Sequence, residues 1–217
     1  MDFISQFAVS LDAILGEEKD TILYLDSHTH DDVFQDRTMA VVNRYPGDVR
    51  TDDKCVSVGL HPWHVNDDWQ VQLEKMRSEA SLPCVCAIGE CGLDKCCESN
   101  YERQMETFRA QVLLAEECGK PMIIHCVKSF QEIMAIHKEM KPQQKWLIHG
   151  FRGKPELVKQ IMAKEMLVSF GHHYNVNSLA YVALNCRSLY LETDDCGLSI
   201  RQIYENVRRH LSSGSLG

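Results

Sequence analysis

No apolar run in the 217-residue chain reaches the roughly 20 residues that a membrane-spanning helix requires. The first residues lack the series of basic segment, long apolar run and small-residue cleavage site that marks a secretory leader. There is no excess of positive charge either. Lys and Arg number 23 against 31 Asp and Glu, a formal net charge of -8, which argues against gripping nucleic acid by bulk electrostatics. A phosphate substrate is not excluded, because bound divalent cations would reverse the local charge of a site. No internal repeat, low-complexity segment or linker-like stretch interrupts the chain. Paired CxxC hooks are absent as well: among ten cysteines, "CVC" at 84–86 and "CC" at 96–97 have the wrong spacing for structural zinc. The cysteines read as free thiols that behave as small hydrophobes, which implies a reducing, cytoplasmic setting.

What is present is the composition of an ordinary globular protein, 44% hydrophobic and 25% charged, at a length that suits one domain. Residues 2–15 place Phe3, Phe7, Leu11 and Ile14 at spacings of three and four, which predicts an N-terminal helix within a 1–20 extension. Eight short apolar runs then predict strands: 21–26, 38–45, 54–60, 84–90, 121–126, 145–150, 165–171 and 188–193. Most are near-continuous rather than alternating, the pattern of a parallel sheet covered on both faces. Helix-length segments lie between the later runs, at 66–80, 99–118, 129–140, 154–164 and 177–185, and a last helix is expected over 198–211. The order reads as a single α/β domain, a compact TIM-like (β/α)8 barrel over 21–211 with a flexible tail at 212–217. The gaps 27–37 and 46–53 are too short for crossover helices, so the first two helices should be reduced or missing, with the N-terminal helix covering the bared surface.

The polar residues fall in a pattern. In "DSHTH" (26–30), His28 and His30 stand two apart after an apolar run, so on a strand both imidazoles aim at one spot. Such a pair suits a metal ion or a satisfied polar strand end equally well. His61 and His64 follow "SVGL", Glu90 ends "VCAIGE", His125 ends "PMIIH", His149 ends "KWLIH" and Asp194 follows "LYLET". In a barrel the C-terminal strand ends converge on the face that carries active sites. Several imidazoles and carboxylates gathered there are costly without a cation, so the set together points to metal binding.

"DSHTH", "VGLHPWHV", "AIGECGLD", "PMIIHC", "WLIHGFRGKPE" and "LETDD" resemble, in order, the motifs of the TatD family of metal-dependent hydrolases, over residues 22–196. The resemblance implies a TIM barrel with two divalent ions and hydrolase activity, most often on DNA. It implies that His28 and His30 hold one metal, that Glu90 bridges both and that His125 and His149 hold the second. Asp194 would be a ligand of the first metal that also handles the proton of the attacking water, and His61 would sit near the scissile phosphate. Asp94 matches the family pattern and would orient Glu90 or a ligand; Asp26 could do the same. Carboxylate and imidazole ligands suit zinc, manganese or iron, and magnesium where carboxylate and water dominate. Arg152 could bind a phosphate as a fork-shaped donor or form a surface ion pair. Trp63 could stack on a base or pack beneath its loop; His64 beside it is a further substrate contact.

The chain departs from the family pattern at Asp31, at Trp63, at Asp195 and in the short passage from "LETDD" to the last helix. His172 and His173 read as loop residues, and His137 and His210 as surface residues. The expected activity is a two-metal phosphodiesterase acting on nucleic acid ends or oligonucleotides, with no membrane and no obligate protein partner. Its alternatives are a hydrolase of a small phosphoester, amide or lactone, and a metal-binding interaction protein without catalysis.

Overall fold

The computed structural model describes residues 4–15 and 23–213, and of Ile4 and Leu11 only the backbone. In chain order the strands and helices are β1 (Val9–Ser10), α1 (Leu11–Leu15), β2 (Tyr24–Thr29), β3 (Thr38–Arg44), β4 (Val56–Val58), α2 (Trp69–Glu79), β5 (Val85–Asp94), α3 (Tyr101–Cys118), β6 (Met122–Val127), α4 (Phe130–Met140), β7 (Trp146–Ile148), α5 (Pro155–Met162), β8 (Leu167–Phe170), α6 (Val176–Cys186), β9 (Ser188–Leu191) and α7 (Ile200–Ser212). Every one of the eight expected strands forms, and so do the six later helices. No helix occurs between β2 and β3, or between β3 and β4. Among the described residues no helix is long and apolar enough to cross a membrane.

The chain forms two compact units, one built on Val42–Ile148 and one on Ser5–Val41 with His149 onward. In the first, the end of β3 and strands β4 to β7 run parallel, with Val42 beside Val56, Val58 beside Ile88, and Ile124 beside both Cys91 and Ile148. Parallel pairing requires a crossover, and α2, α3 and α4 supply it. All ten residues of β5 are buried, which explains its unbroken apolar reading. Between Ile88 and Cys91 the strand advances three residues while its neighbour advances two, from Met122 to Ile124. This bulge carries Gly89 and Glu90 and re-aims the carboxylate. Gly92 makes the closest approach: its φ is +150°, and a Cβ there would stand 2.0 Å from the carbonyl oxygen of His125. Only glycine fits. Helix α3 buries Gln104, Thr107, Phe108, Gln111, Val112 and Ala115, a stripe at helical spacing. Asn100 caps it by accepting the Arg103 N–H at 3.0 Å, and Gly119 ends it with φ at 63°.

In the second unit, β8 and β9 are parallel and β1 adds antiparallel to β9, with Val9 opposite Leu189. β2 reaches the same region through a bridge at Thr29, where the Asp194 N–H donates to the His28 carbonyl and the His30 N–H to the Asp194 carbonyl, both at 3.0 Å. Helix α7 buries Ile203, Tyr204, Val207 and Leu211. The Tyr204 hydroxyl accepts from the Leu25 N–H at 2.9 Å. Ser199 and Gln202 form a capping box at the start of α7. Ser199→Ala removes half of it and is expected to cost about 1 kcal/mol, read as a lower denaturant midpoint by circular dichroism.

The N-terminal segment corrects the sequence reading. Instead of one helix over 2–15 there is a 3-10 turn at Ile4–Phe7, then β1, then the short α1. Val9 and Ser10 are drawn into pairing with β9, and the Ser10 hydroxyl then accepts the Ala13 N–H at 3.1 Å, capping the helix that follows. Phe7 and Ile14 are buried as expected, and α1 packs on α7. Phe3, the side chain of Leu11, residues 21 and 22 of the first apolar run and the tail from 214 lie outside the described residues. All ten cysteines are free; Cys86 and Cys91 are buried, whereas Cys96 and Cys186 are exposed and do not fit the small-hydrophobe reading.

Candidate active site

In the second unit, the strand geometry of "DSHTH" is realised. His28, fully buried within β2, and His30, just past its end, hold their rings 5.2 Å apart. Both Nε2 atoms stand 3.7 Å from the same oxygen, Oδ1 of Asp194. That is beyond a hydrogen bond and is a convergence of donors on one point. His149, one residue past β7, places its ring 4.4 Å from His28. Ligand atoms of His28, His149 and Asp194 lie within 4.8 Å of one another. Glu192, completely buried, meets His149 Nδ1 at 3.3 Å and accepts the Ser169 hydroxyl. A carboxylate on Nδ1 fixes that nitrogen as the donor, so Nε2 is the atom that could hold a metal. Sequence reasoning passed over Glu192; an acid closing the buried run "LYL" was the signal for it.

Asp26 supports the same strand end. Its carboxyl accepts the Thr193 hydroxyl at 2.6 Å, the Thr193 N–H at 3.1 Å and the His28 N–H at 3.4 Å. Burial pushes it up to about 7, against the pull of the Thr193 bonds, and the charge of Glu192 adds to the rise.

In the first unit, His61, Glu90 and His125 likewise offer ligand atoms within 4.8 Å of one another. Glu90 Oε1 meets His125 Nδ1 at 2.8 Å and His61 Nε2 at 3.2 Å. The strand assignment corrects one detail: Glu90 and His125 are interior to β5 and β6 rather than at their ends. The Glu90 N–H donates to the Asn43 side chain at 2.8 Å, which anchors the bulge. Asn43 was not singled out from the sequence.

His61 and His125 differ in what their second nitrogen does. His61 Nδ1 accepts the Trp63 N–H at 3.1 Å, so Nε2 carries the proton of the neutral ring. His61 is therefore a hydrogen-bond donor. His125 faces a carboxylate with each nitrogen, Glu90 through Nδ1 at 2.8 Å and Asp94 through Nε2 at 3.4 Å. Asp94 also accepts the Trp63 indole N–H at 2.7 Å and the Cys96 N–H at 2.7 Å. Burial works to raise its carboxyl, but the bonds from Trp63, Cys96 and His125 outweigh it and hold the carboxyl below its ordinary value. Asp94 is itself held: its N–H donates to Gln104 at 2.9 Å.

Of the expected substrate contacts, His61 is buried, whereas Trp63, His64 and Arg152 are at the surface. Trp63 is 60% exposed, although its N–H is fixed, so it is not packed beneath its loop. His64 is exposed with its ring 5.0 Å from Tyr45. Arg152 is exposed and, among the described residues, makes no ion pair.

These features point to one kind of relative. The model of the family described as TatD related DNase matches residues 35–198. The chain belongs to the TatD family. Curated TatD relatives include the "3'-5' ssDNA/RNA exonuclease TatD" of Erwinia tasmaniensis, 37% identical over 109 residues, 48% of this chain and 42% of that protein. Another is the "uncharacterized metal-dependent hydrolase YabD" of Bacillus subtilis, 30% identical over 137 residues, 62% of this chain and 51% of that protein. The chain thus spans about half the length of the curated TatD relatives it matches. Among solved structures, the TatD homologue YJJV of Escherichia coli matches at TM-score 0.67 and 17% identity, covering 89% of this chain and 97% of that one. A TatD family hydrolase of Entamoeba histolytica matches at TM-score 0.61 and 17% identity, covering 79% and 73%. At these identities the likeness shows the fold, the α/β barrel of TatD proteins.

Proposed function

We propose that this TatD-family chain is a two-metal-dependent phosphodiesterase that hydrolyses nucleic acid strands. The observation that carries the reading is the donor chemistry: imidazole and carboxylate atoms gathered within 4.8 Å of one another in His28, His149 and Asp194, and again in Glu90 and His125 with His61 beside them. Mixed nitrogen and oxygen donors fit divalent zinc, manganese or iron. His28, His30, His149 and Asp194 would hold metal in one unit, and Glu90 and His125 in the other. Bound divalent ions activate water and stabilise the attacking and leaving oxygens of a phosphodiester.

The chain's own residues supply the rest. Asp194, partly open to solvent, takes the proton of the attacking water. His61, with its proton on Nε2, donates to a phosphate oxygen. Glu192 orients the His149 ring and Asp94 that of His125. Arg152 binds a phosphate, and the exposed face of Trp63, locked by Asp94, accepts a base. Single-stranded DNA and RNA oligonucleotides, incubated with protein loaded with manganese, zinc or magnesium, should be shortened. Oligonucleotides left intact with all three ions, beside turnover of a small phosphoester, amide or lactone, would overturn the nuclease reading.

A further inference from the structure

The second unit carries a groove of about 500 Å³ between the turn after β8 and the last turns of α7. We propose that this groove binds a backbone phosphate of the substrate strand away from the bond being cut. The inference rests on the nuclease reading and extends it to a second phosphate site.

The lining is unusual for an acidic chain. His172, His173, Arg209 and His210 face the groove with Tyr174 and Asn206, and among the described residues no carboxylate lines it. In a molecule of net charge -8 this lining combines one cation, Arg209, with three imidazoles, and phosphate contacts of this kind position a strand without reading its sequence. His172 connects the groove to the candidate site. It lies within electrostatic reach of Arg152, Asp194 and Asp195, and its ring centre is 3.9 Å from that of His173, the two planes tilted by 43°.

The donors are arranged for an anion. The Tyr174 hydroxyl meets His210 Nδ1 at 2.7 Å. Burial pushes the Tyr174 phenol up to about 12, with Arg209 pulling the other way, so the hydroxyl keeps its proton at neutral pH. Arg209 is tied to its own helix, through Asn206 and through the Glu205 carbonyl at 3.4 Å, rather than to a carboxylate. A basic residue in the last turn favours the helix dipole. That alone does not account for a histidine pair from another element facing it across a cavity.

The test uses the metal-loaded whole chain and a fluorescent phosphorothioate decathymidylate, which resists cutting, with anisotropy read at several salt concentrations. Cutting of the ordinary decathymidylate is followed in parallel. The Arg209→Ser/His173→Ser double variant should bind about tenfold more weakly. Its salt slope should fall by about 0.7 for each phosphate that is no longer neutralised, and Arg209→Lys with His173 intact should restore most of the affinity. Matching thermal melts exclude misfolding, which is not expected of two exposed side chains. If wild-type protein binds and cuts the strand and the double variant binds with the same affinity and slope, the groove proposal is overturned and the nuclease reading stands. If wild-type protein neither binds nor cuts, both fall.

Discussion

Asp194→Asn should lower kcat on a single-stranded oligonucleotide by about 10²–10⁴-fold, the range for loss of a positioned general base, with the circular dichroism spectrum and melting midpoint nearly unchanged. The separation of activity from fold follows from the backbone. Asp194 sits at φ 54°, in the left-handed region, which Asn and Asp tolerate better than other side chains. Its N–H and carbonyl, bonded to His28 and His30, are the same in Asn. The carboxamide keeps the shape, lacks the charge and cannot take a proton from water. Metal content of the purified variant, by elemental analysis, should fall as well, because Asp194 Oδ1 is the atom on which His28 and His30 converge. Glu90→Gln provides the comparison from the other donor group, where the bulge positions the side chain through Asn43. Full activity in either variant would remove the proposed roles from these residues. Two ions per chain in wild type, reduced in both variants, would support the two-metal reading; wild-type protein that takes up neither zinc nor manganese would end it.

Much of this was legible in the sequence because it is local. Apolar runs of strand length at 84–90, 121–126 and 145–150 became β5, β6 and β7, since a strand buried on both faces has no alternation to misread. The same periodicity misled at the N-terminus. Phe7 and Ile14 do point inward, but Val9 is claimed by Leu189, a partner 180 residues away, and no local pattern contains that. The site divides along the same line. His28, His30, Glu90, His125, His149 and Asp194 stand out as polar residues in or after apolar runs. Their supports do not. Glu192 matters because it meets His149, 43 residues distant, and Asn43 because it holds the Glu90 N–H, 47 residues distant; Asp94 is legible through its motif, but its bond to Trp63, 31 residues distant, is not. The status of Trp63, exposed yet immobilised, depends on that bond and could not be decided from "HPWH".

Trp146→Ala should be the most destabilising single change in the first unit, costing about 3–5 kcal/mol. Trp146 is 1% exposed in β7 and is among the largest fully buried side chains. Phe108 of α3 meets its ring edge-on at 5.5 Å and His137 of α4 at 4.8 Å, so truncation strips packing from both crossover helices at once. Stability of an ordinary domain is about 5–15 kcal/mol, so the loss is a large share of the total. Trp146→Phe separates cavity from polarity. The indole N–H is buried without a hydrogen-bond partner among the described residues, a standing cost that Phe removes while leaving a smaller void. Its net effect should therefore be well under half that of Ala. Urea unfolding followed by circular dichroism would rank the three proteins. An alanine variant within about 1 kcal/mol of wild type, against the range for buried aromatic truncation, would mean that α3 and α4 close over the site, and that Trp146 is not the side chain on which their packing depends.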